Sequence, residues 1–156
     1  MPIFFKQGNI FESKSDIIVN PVNCVGVMGK GLALQFKNNF PRNFVLYKEV
    51  CNKGKLKPGS IFVTGYYIGK IPYYIVNFST KGHWSLPSKI EYIKDGLDTL
   101  VKYLKNPPVG MRPVNTISIP KLGCGLGGLK WNDVYPLIIA AFVPLDIIIH
   151  IYGKEI

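Results

Sequence analysis

Residues 17–37 read IIVNPVNCVGVMGKGLALQFK, and their pattern decides the fold class. The apolar run from Ile17 to Val19 suits a buried strand, the asparagines and the glycines at 26, 29 and 31 suit a loop, and the apolar spacing from Leu32 suits a helix. Glycine tolerates positive φ and close backbone approach, so successive N–H groups can converge on an anion while the next helix adds its positive dipole end. Such a loop is either a phosphate cradle or an ordinary turn, and taken alone it leaves both readings open. The spacing Gly26-x-x-Gly29-x-Gly31 matches neither the dinucleotide fingerprint nor the Lys-Ser/Thr ending of a Walker loop. Asn20 and Asn23 either meet a bound group or serve the loop itself, because an amide beside an apolar strand needs a specific partner.

Upstream, residues 3–5 (IFF) form a short strand, with Asn9 at its end and a polar connection over 12–16. Downstream, a first helix spans 31–38 and a second starts at Pro41 and runs through Tyr47 and Cys51, with proline tolerated in a first turn. Residues 60–64 and 73–78 are β-branched and aromatic, so they make a hairpin or neighbouring strands on either side of residues 65–72. The loop Ser79-Thr80-Lys81-Gly82-His83-Trp84-Ser85 follows directly, and in open α/β sheets ligands gather in loops at strand ends. Lys81 is there either a nucleophile or an exposed lysine, and Trp84 either stacks on a base or packs on the domain. Residues 87–104 carry Ile90, Ile93, Leu97, Leu100, Val101 and Leu104 at helical spacing, with Ser88 as the cap. Residues 106–113 are a loop, 116–120 a strand, 131–142 a helix and 146–152 the closing strand. Between strand and helix lies KLGCGLGGL, residues 121–129, a second glycine loop about a hundred residues after the first. Two such loops can face each other across adjacent parallel strands and hold a diphosphate between them, which a simple turn does not predict.

The 156 residues, 47% hydrophobic, fit one domain spanning 1–156. No run approaches the length of a membrane span, and the N-terminus lacks the pattern of a secretory leader, so a cytoplasmic, monomeric protein without a membrane partner is expected. Cys24, Cys51 and Cys124 are widely spaced without a metal-ligand pattern, as free thiols in a reducing compartment would be. A net charge of +10 favours an anionic partner such as nucleic acid, with clusters at 48–57 and 102–105 serving as a DNA-facing surface or as solvated faces.

Three separated segments, VNCVGVMGKGLALQFK (22–37), NFSTKGHW (77–84) and LGCGLGGLKW (122–131), together with Gly8-Asn9-Ile10, resemble the macrodomain family, which binds ADP-ribose. Within that family the chain is most similar to the DarG-like antitoxin branch, which removes ADP-ribose from thymidine in DNA, and to the terminal ADP-ribose glycohydrolases. The resemblance implies an α/β fold, a three-layer α/β/α sandwich with a mixed central sheet. It implies that Asn9 and Ile10 meet the adenine, with Asn9 standing where most members carry an aspartate, and that Tyr152 borders the same end. Asn23 then holds the distal ribose beside Asn20, and Gly29, Lys30, Gly31 and Leu32 form the first diphosphate loop. Gly123, Cys124, Gly125, Leu126 and Gly127 form the second, Thr80 lines the ligand, and His83 and Trp84 touch the modified nucleotide.

Lys81 matches the catalytic lysine of this branch, acting with Asn23 at the anomeric carbon. An amine must be unprotonated to attack carbon, which burial or neighbouring positive charge promotes. The terminal glycohydrolases add an aspartate in the second loop, where this chain has Gly127, which implies chemistry without that carboxylate. The expected activity is a DNA ADP-ribosyl glycohydrolase, with an ADP-ribose 1''-phosphate phosphatase or O-acyl-ADP-ribose deacylase, or a non-catalytic ADP-ribose reader, as alternatives. No metal or cofactor is expected. The implied partners are ADP-ribose or ADP-ribosylated DNA and a DarT-like toxin.

Overall fold

The structure, a computed structural model, describes residues 3–153. Strands β1 (Ile3–Lys6), β2 (Ile17–Val22), β3 (Ile61–Ile68), β4 (Ile71–Ser79), β5 (Thr116–Pro120) and β6 (Ile148–Tyr152) form one sheet in the order β1-β6-β5-β2-β4-β3. Every pairing is parallel except that of β3, which runs antiparallel to β4 at the edge, so the sheet is mixed. Helices α1 (Gly31–Asn39) and α2 (Pro41–Asn52) cover one face, and α3 (Ile90–Lys105) and α4 (Trp131–Phe142) the other.

Strand residues alternate between the faces, and β2 shows why it is central. Ile17 and Val19 join Ile93, Leu97, Val134 and Phe142 in the core under α3 and α4. Ile18 and Val22 join Phe36, Tyr47 and Met28 in the core under α1 and α2. Burying side chains of this size stabilises by about 2 kcal/mol each. Gly96 lets α3 lie directly on the Phe78 ring, where an added methyl would collide with it.

Two expectations need correction. Residues 65–72 are not a loop: β3 and β4 extend through them and turn at Gly69-Lys70. Pro72 is tolerated because β2 begins pairing with β4 only at Tyr74, so the missing N–H breaks no ladder there. Ser88 does not cap α3: the N-cap position falls on Lys89, still extended (φ −119°, ψ 146°) and without a side-chain capping bond, and Ser88 Oγ is buried without a hydrogen-bond partner among the described residues. Ahead of the polar connection at 12–16 lies a short 3-10 turn, Ile10–Glu12, which Asn9 caps by accepting the Phe11 N–H at 2.9 Å.

Candidate functional site

Five parallel strands end on one side of the sheet, and the ends of four of them line up the segments that the sequence singled out. Across the order β6-β5-β2-β4 these are Tyr152, the loop at 121–129, the loop at 23–31, and the loop starting at Thr80. Three inter-strand steps of about 4.8 Å place roughly 14 Å between the first and last of these strand ends. Ligands of open α/β sheets bind outside such carboxyl ends.

At one end, Tyr152 pairs with both Lys6 and Pro120 in register, and shares an apolar cluster with Ile10 and Phe11 of the Asn9–Ser13 turn. Burial, reinforced by Glu12, pushes the Tyr152 phenol up, so it stays a neutral hydrogen-bonding group. Asn9 is exposed and Ile10 buried, so Asn9 presents a side chain and Ile10 chiefly backbone.

The two glycine loops come next. Gly31 opens α1 with φ +56°, a conformation that suits glycine, and its N-cap, Lys30, makes no side-chain capping bond. Among the described residues, the N–H groups of Gly29, Lys30, Gly31 and Leu32 donate to no protein acceptor, and neither do those of Gly125, Leu126 and Gly127. Exposed donors at an uncapped helix start suit an anion. The second loop is held by Leu129 N–H to Gly123 O (2.9 Å), Gly128 N–H to Gly125 O (3.2 Å) and Ser88 N–H to Gly127 O (3.0 Å). A Cβ on Gly127 would lie 2.5 Å from Gly123 O and closer still to Ser88 Oγ, so the loop leaves no room for a side chain there. A carboxylate at position 127 would therefore need the loop to shift.

Asn23 is 6% exposed and almost fully engaged. Its Oδ1 meets the Tyr47 hydroxyl (2.7 Å) and the Val25 N–H (3.1 Å), while Nδ2 donates to Val27 O (2.8 Å). What remains for a ligand is the second Nδ2 proton. Tyr47, fully buried in α2, also reaches Asn23 O at 2.8 Å, and burial raises its phenol far above the ordinary value. This residue escaped the sequence reading. The signal available was the pair Asn43 and Tyr47, polar groups one turn apart on the buried side of α2.

Asn20 must be removed from the ligand contacts. It is 0% exposed in mid-strand, with Nδ2 on Asn77 Oδ1 (3.1 Å) and against Met28 Sδ (3.9 Å). Asn77 exchanges further bonds with Asn43, which also accepts from Thr64, so Asn20 belongs to a polar network beneath the loop.

The Lys81 loop closes against the first glycine loop. The Cys24 N–H is donated to Gly82 O (3.0 Å), the Thr80 N–H to Val22 O (3.0 Å), and Cys24 Sγ lies 2.8 Å from Ser79 Oγ. Lys81 is half-buried, with Nζ 3.4 Å from Trp84 O; Thr80 is buried and Trp84 is 57% exposed. The His83 and Trp84 rings lie 4.9 Å apart, and His83 Nδ1 accepts the Ser85 N–H at 3.1 Å. Burial raises the thiols of Cys24 and Cys124, which argues against a thiolate nucleophile at either. Among the described residues, no three His, Cys, Asp or Glu side chains gather as a metal site, and no helix is long and apolar enough to cross a membrane.

Comparison with known proteins bears on the same segments. The family model for the Macro domain matches residues 19–138. A DNA ADP-ribosyl glycohydrolase of Thermus aquaticus is 44% identical over 144 residues, covering 91% of this chain and 38% of that protein. A DNA ADP-ribosyl transferase-DNA ADP-ribosyl glycohydrolase fusion protein of Thermosipho africanus is 32% identical over 161 residues, covering 94% of this chain and 40% of the fusion. The solved macrodomain of Mycobacterium tuberculosis DarG superposes with a TM-score of 0.90 at 38% identity, covering 98% of each chain. The chain thus spans about two-fifths of the length of these curated relatives.

Proposed function

The chain belongs to the macrodomain family, and on that premise we propose that it is a hydrolase removing ADP-ribose from thymidine in DNA. The observation that carries this reading is the order of segments along the strand ends. Adenine edge, two open amide loops and Lys81 follow one another in the sequence in which an adenine, a diphosphate and a distal ribose follow one another in ADP-ribose. The similarity to DNA ADP-ribosyl glycohydrolases supports the linkage, and the net charge of +10 suits a DNA substrate.

On this reading the diphosphate lies between the N–H groups of 29–32 and of 125–127, and the distal ribose between Asn23 and Lys81. The remaining Nδ2 proton of Asn23 donates to a ribose oxygen. The lone pair of the Lys81 amine attacks the anomeric carbon, and the bond to thymine breaks with its electron pair moving to the base, whose nitrogen takes up the proton that the amine gives up. Water then displaces the lysine and releases ADP-ribose. His83 and Trp84 form the outer wall, against which the base packs. A toxin that ADP-ribosylates DNA is the matching partner, a pairing supported by the fusion protein of Thermosipho africanus.

The test is release of ADP-ribose from an oligonucleotide carrying ADP-ribosylated thymidine, by the parent and by Lys81→Ala. Release by the parent, and loss of at least about 100-fold in the variant with ADP-ribose still bound, is expected. Turnover of ADP-ribose 1''-phosphate or O-acyl-ADP-ribose in place of the oligonucleotide would move the assignment to a small-molecule hydrolase, and binding without turnover to a reader.

A further inference from the structure

Away from the strand-end loops, a cavity of about 500 Å³ opens at the edge of the sheet, between the α1–α2 corner and β3. Phe40, Arg42, Thr64, Gly65, Tyr66 and Tyr67 shape it, and no carboxylate lines it. Phe40 and Tyr66 lie 4.7 Å apart, Tyr66 stacks on Tyr73 at 5.8 Å with 27° between the planes, and the Arg112 guanidinium sits 5.0 Å over Tyr73. Tyr67 also lines the cavity and is 72% exposed. The exposed Arg42 spends one Nη1 bond on Gly65 O at 3.3 Å and keeps its other donors.

Aromatic rings beside the Arg42 guanidinium, in a cavity whose lining holds no carboxylate, form a platform on which a nucleobase stacks whatever its sequence. The position fits one strand of nucleic acid. Residue Ser60, just before β3, accepts the Ser79 N–H beneath the Lys81 loop, and Gly82 packs on Pro58. From there β3 leads away, and Gly65 to Tyr67 lie about 17–23 Å along the chain. The exposed Lys55 and Lys57 flank the start of that path.

We propose that this cavity takes a base of single-stranded DNA, on the same strand as the modified nucleotide. The DNA substrate is part of the proposed function and this inference rests on it, but the cavity has its own readout. Tyr67→Ala and Arg42→Ala both alter exposed side chains, so the fold is kept, and Tyr67→Phe retains the ring. Binding of an unmodified, fluorescently labelled oligothymidylate should weaken by about 5- to 150-fold in Tyr67→Ala and recover in Tyr67→Phe. The KM for the ADP-ribosylated oligonucleotide should rise in the same variants, while that for an ADP-ribosylated thymidine mononucleoside stays at the parent value. Equal affinity of parent and both alanine variants for the oligothymidylate overturns the proposal, as does an equal rise in KM for the mononucleoside. If neither substrate is turned over, the reading of Lys81 fails, while the oligothymidylate titration still decides the cavity.

Discussion

Replacing Gly127 by alanine tests whether the second loop is shaped around the absence of a side chain. The new Cβ would stand 2.5 Å from Gly123 O and 2.9 Å from Ser88 Cβ, with Ser88 Oγ nearer still. A backbone carbonyl cannot rotate away as a long side chain would, so the loop itself must shift. Overpacking of this kind costs about 1–3 kcal/mol. For a chain of this size that lowers Tm by about 2–12 °C. The shift also moves the amides of 125–127, and a loss of about 1.4 kcal/mol in their contacts weakens ADP-ribose binding tenfold. Thermal melting with and without ADP-ribose, and calorimetric titration, read the two effects. Gly125→Ala is the control, because a Cβ there meets nothing within 4 Å. Gly127→Asp faces the same collision, so transplanting the carboxylate of the terminal glycohydrolases should slow cleavage. If Gly127→Ala melts and binds as Gly125→Ala does, the packing argument is wrong.

Tyr47→Phe removes a hydroxyl at 2.7 Å from Asn23 Oδ1 without changing shape, which should cost about 1–2 kcal/mol of stability and lower kcat several-fold through a loosened Asn23. Unchanged melting and kcat would mean that the bond does not orient Asn23. Asp16 lies at the opposite end of β2. Burial alone would raise its carboxyl, but the Asn115 and Thr116 N–H groups and Arg112 at 2.7 Å more than offset that, and it is held below its ordinary value. A depressed folded-state pKa means that this stabilisation is full above the unfolded carboxyl range, about pH 4, and is lost as pH falls through the folded value. Asp16→Asn should therefore melt lower at pH 7, by an amount corresponding to about 2 kcal/mol, and converge with the parent in acid. A difference independent of pH, measured by melting across the range, would remove the charge from the explanation.

The strand–loop–helix units were legible because glycine runs and apolar periodicity are local signals. Residues 17–37 and 116–142 fold much as their patterns imply. What escaped was set by neighbours distant in sequence. Gly65 and Pro72 suggest a break, yet an edge strand and a strand end beyond its partner tolerate both. Ser88 has the chemistry of a cap, but α3 starts one residue too late for it, with Lys89 at the N-cap and Ser88 tied by its N–H to Gly127 O, 39 positions later. Asn20 and Asn23 look equivalent in sequence, and only the strand pleat shows that one points into the network with Asn77 while the other turns into the loop.

Those placements constrain the proposed chemistry beyond what the family resemblance supplies. Hydrolysis by direct attack of water needs a free acceptor to take its proton. The segments 23–31, 79–88 and 121–129 contain no carboxylate, and Gly127 cannot be given one without displacing the loop. Asn23 Oδ1 is occupied by Tyr47 and Val25, and His83 Nδ1 by the Ser85 N–H, which leaves the neutral ring's proton on Nε2. None of these groups is a free base. An amine that forms its own bond to the anomeric carbon avoids the need for one in the first step. That is why the reading gives Lys81 the attack itself, and gives Asn23 only a donated hydrogen bond to the ribose.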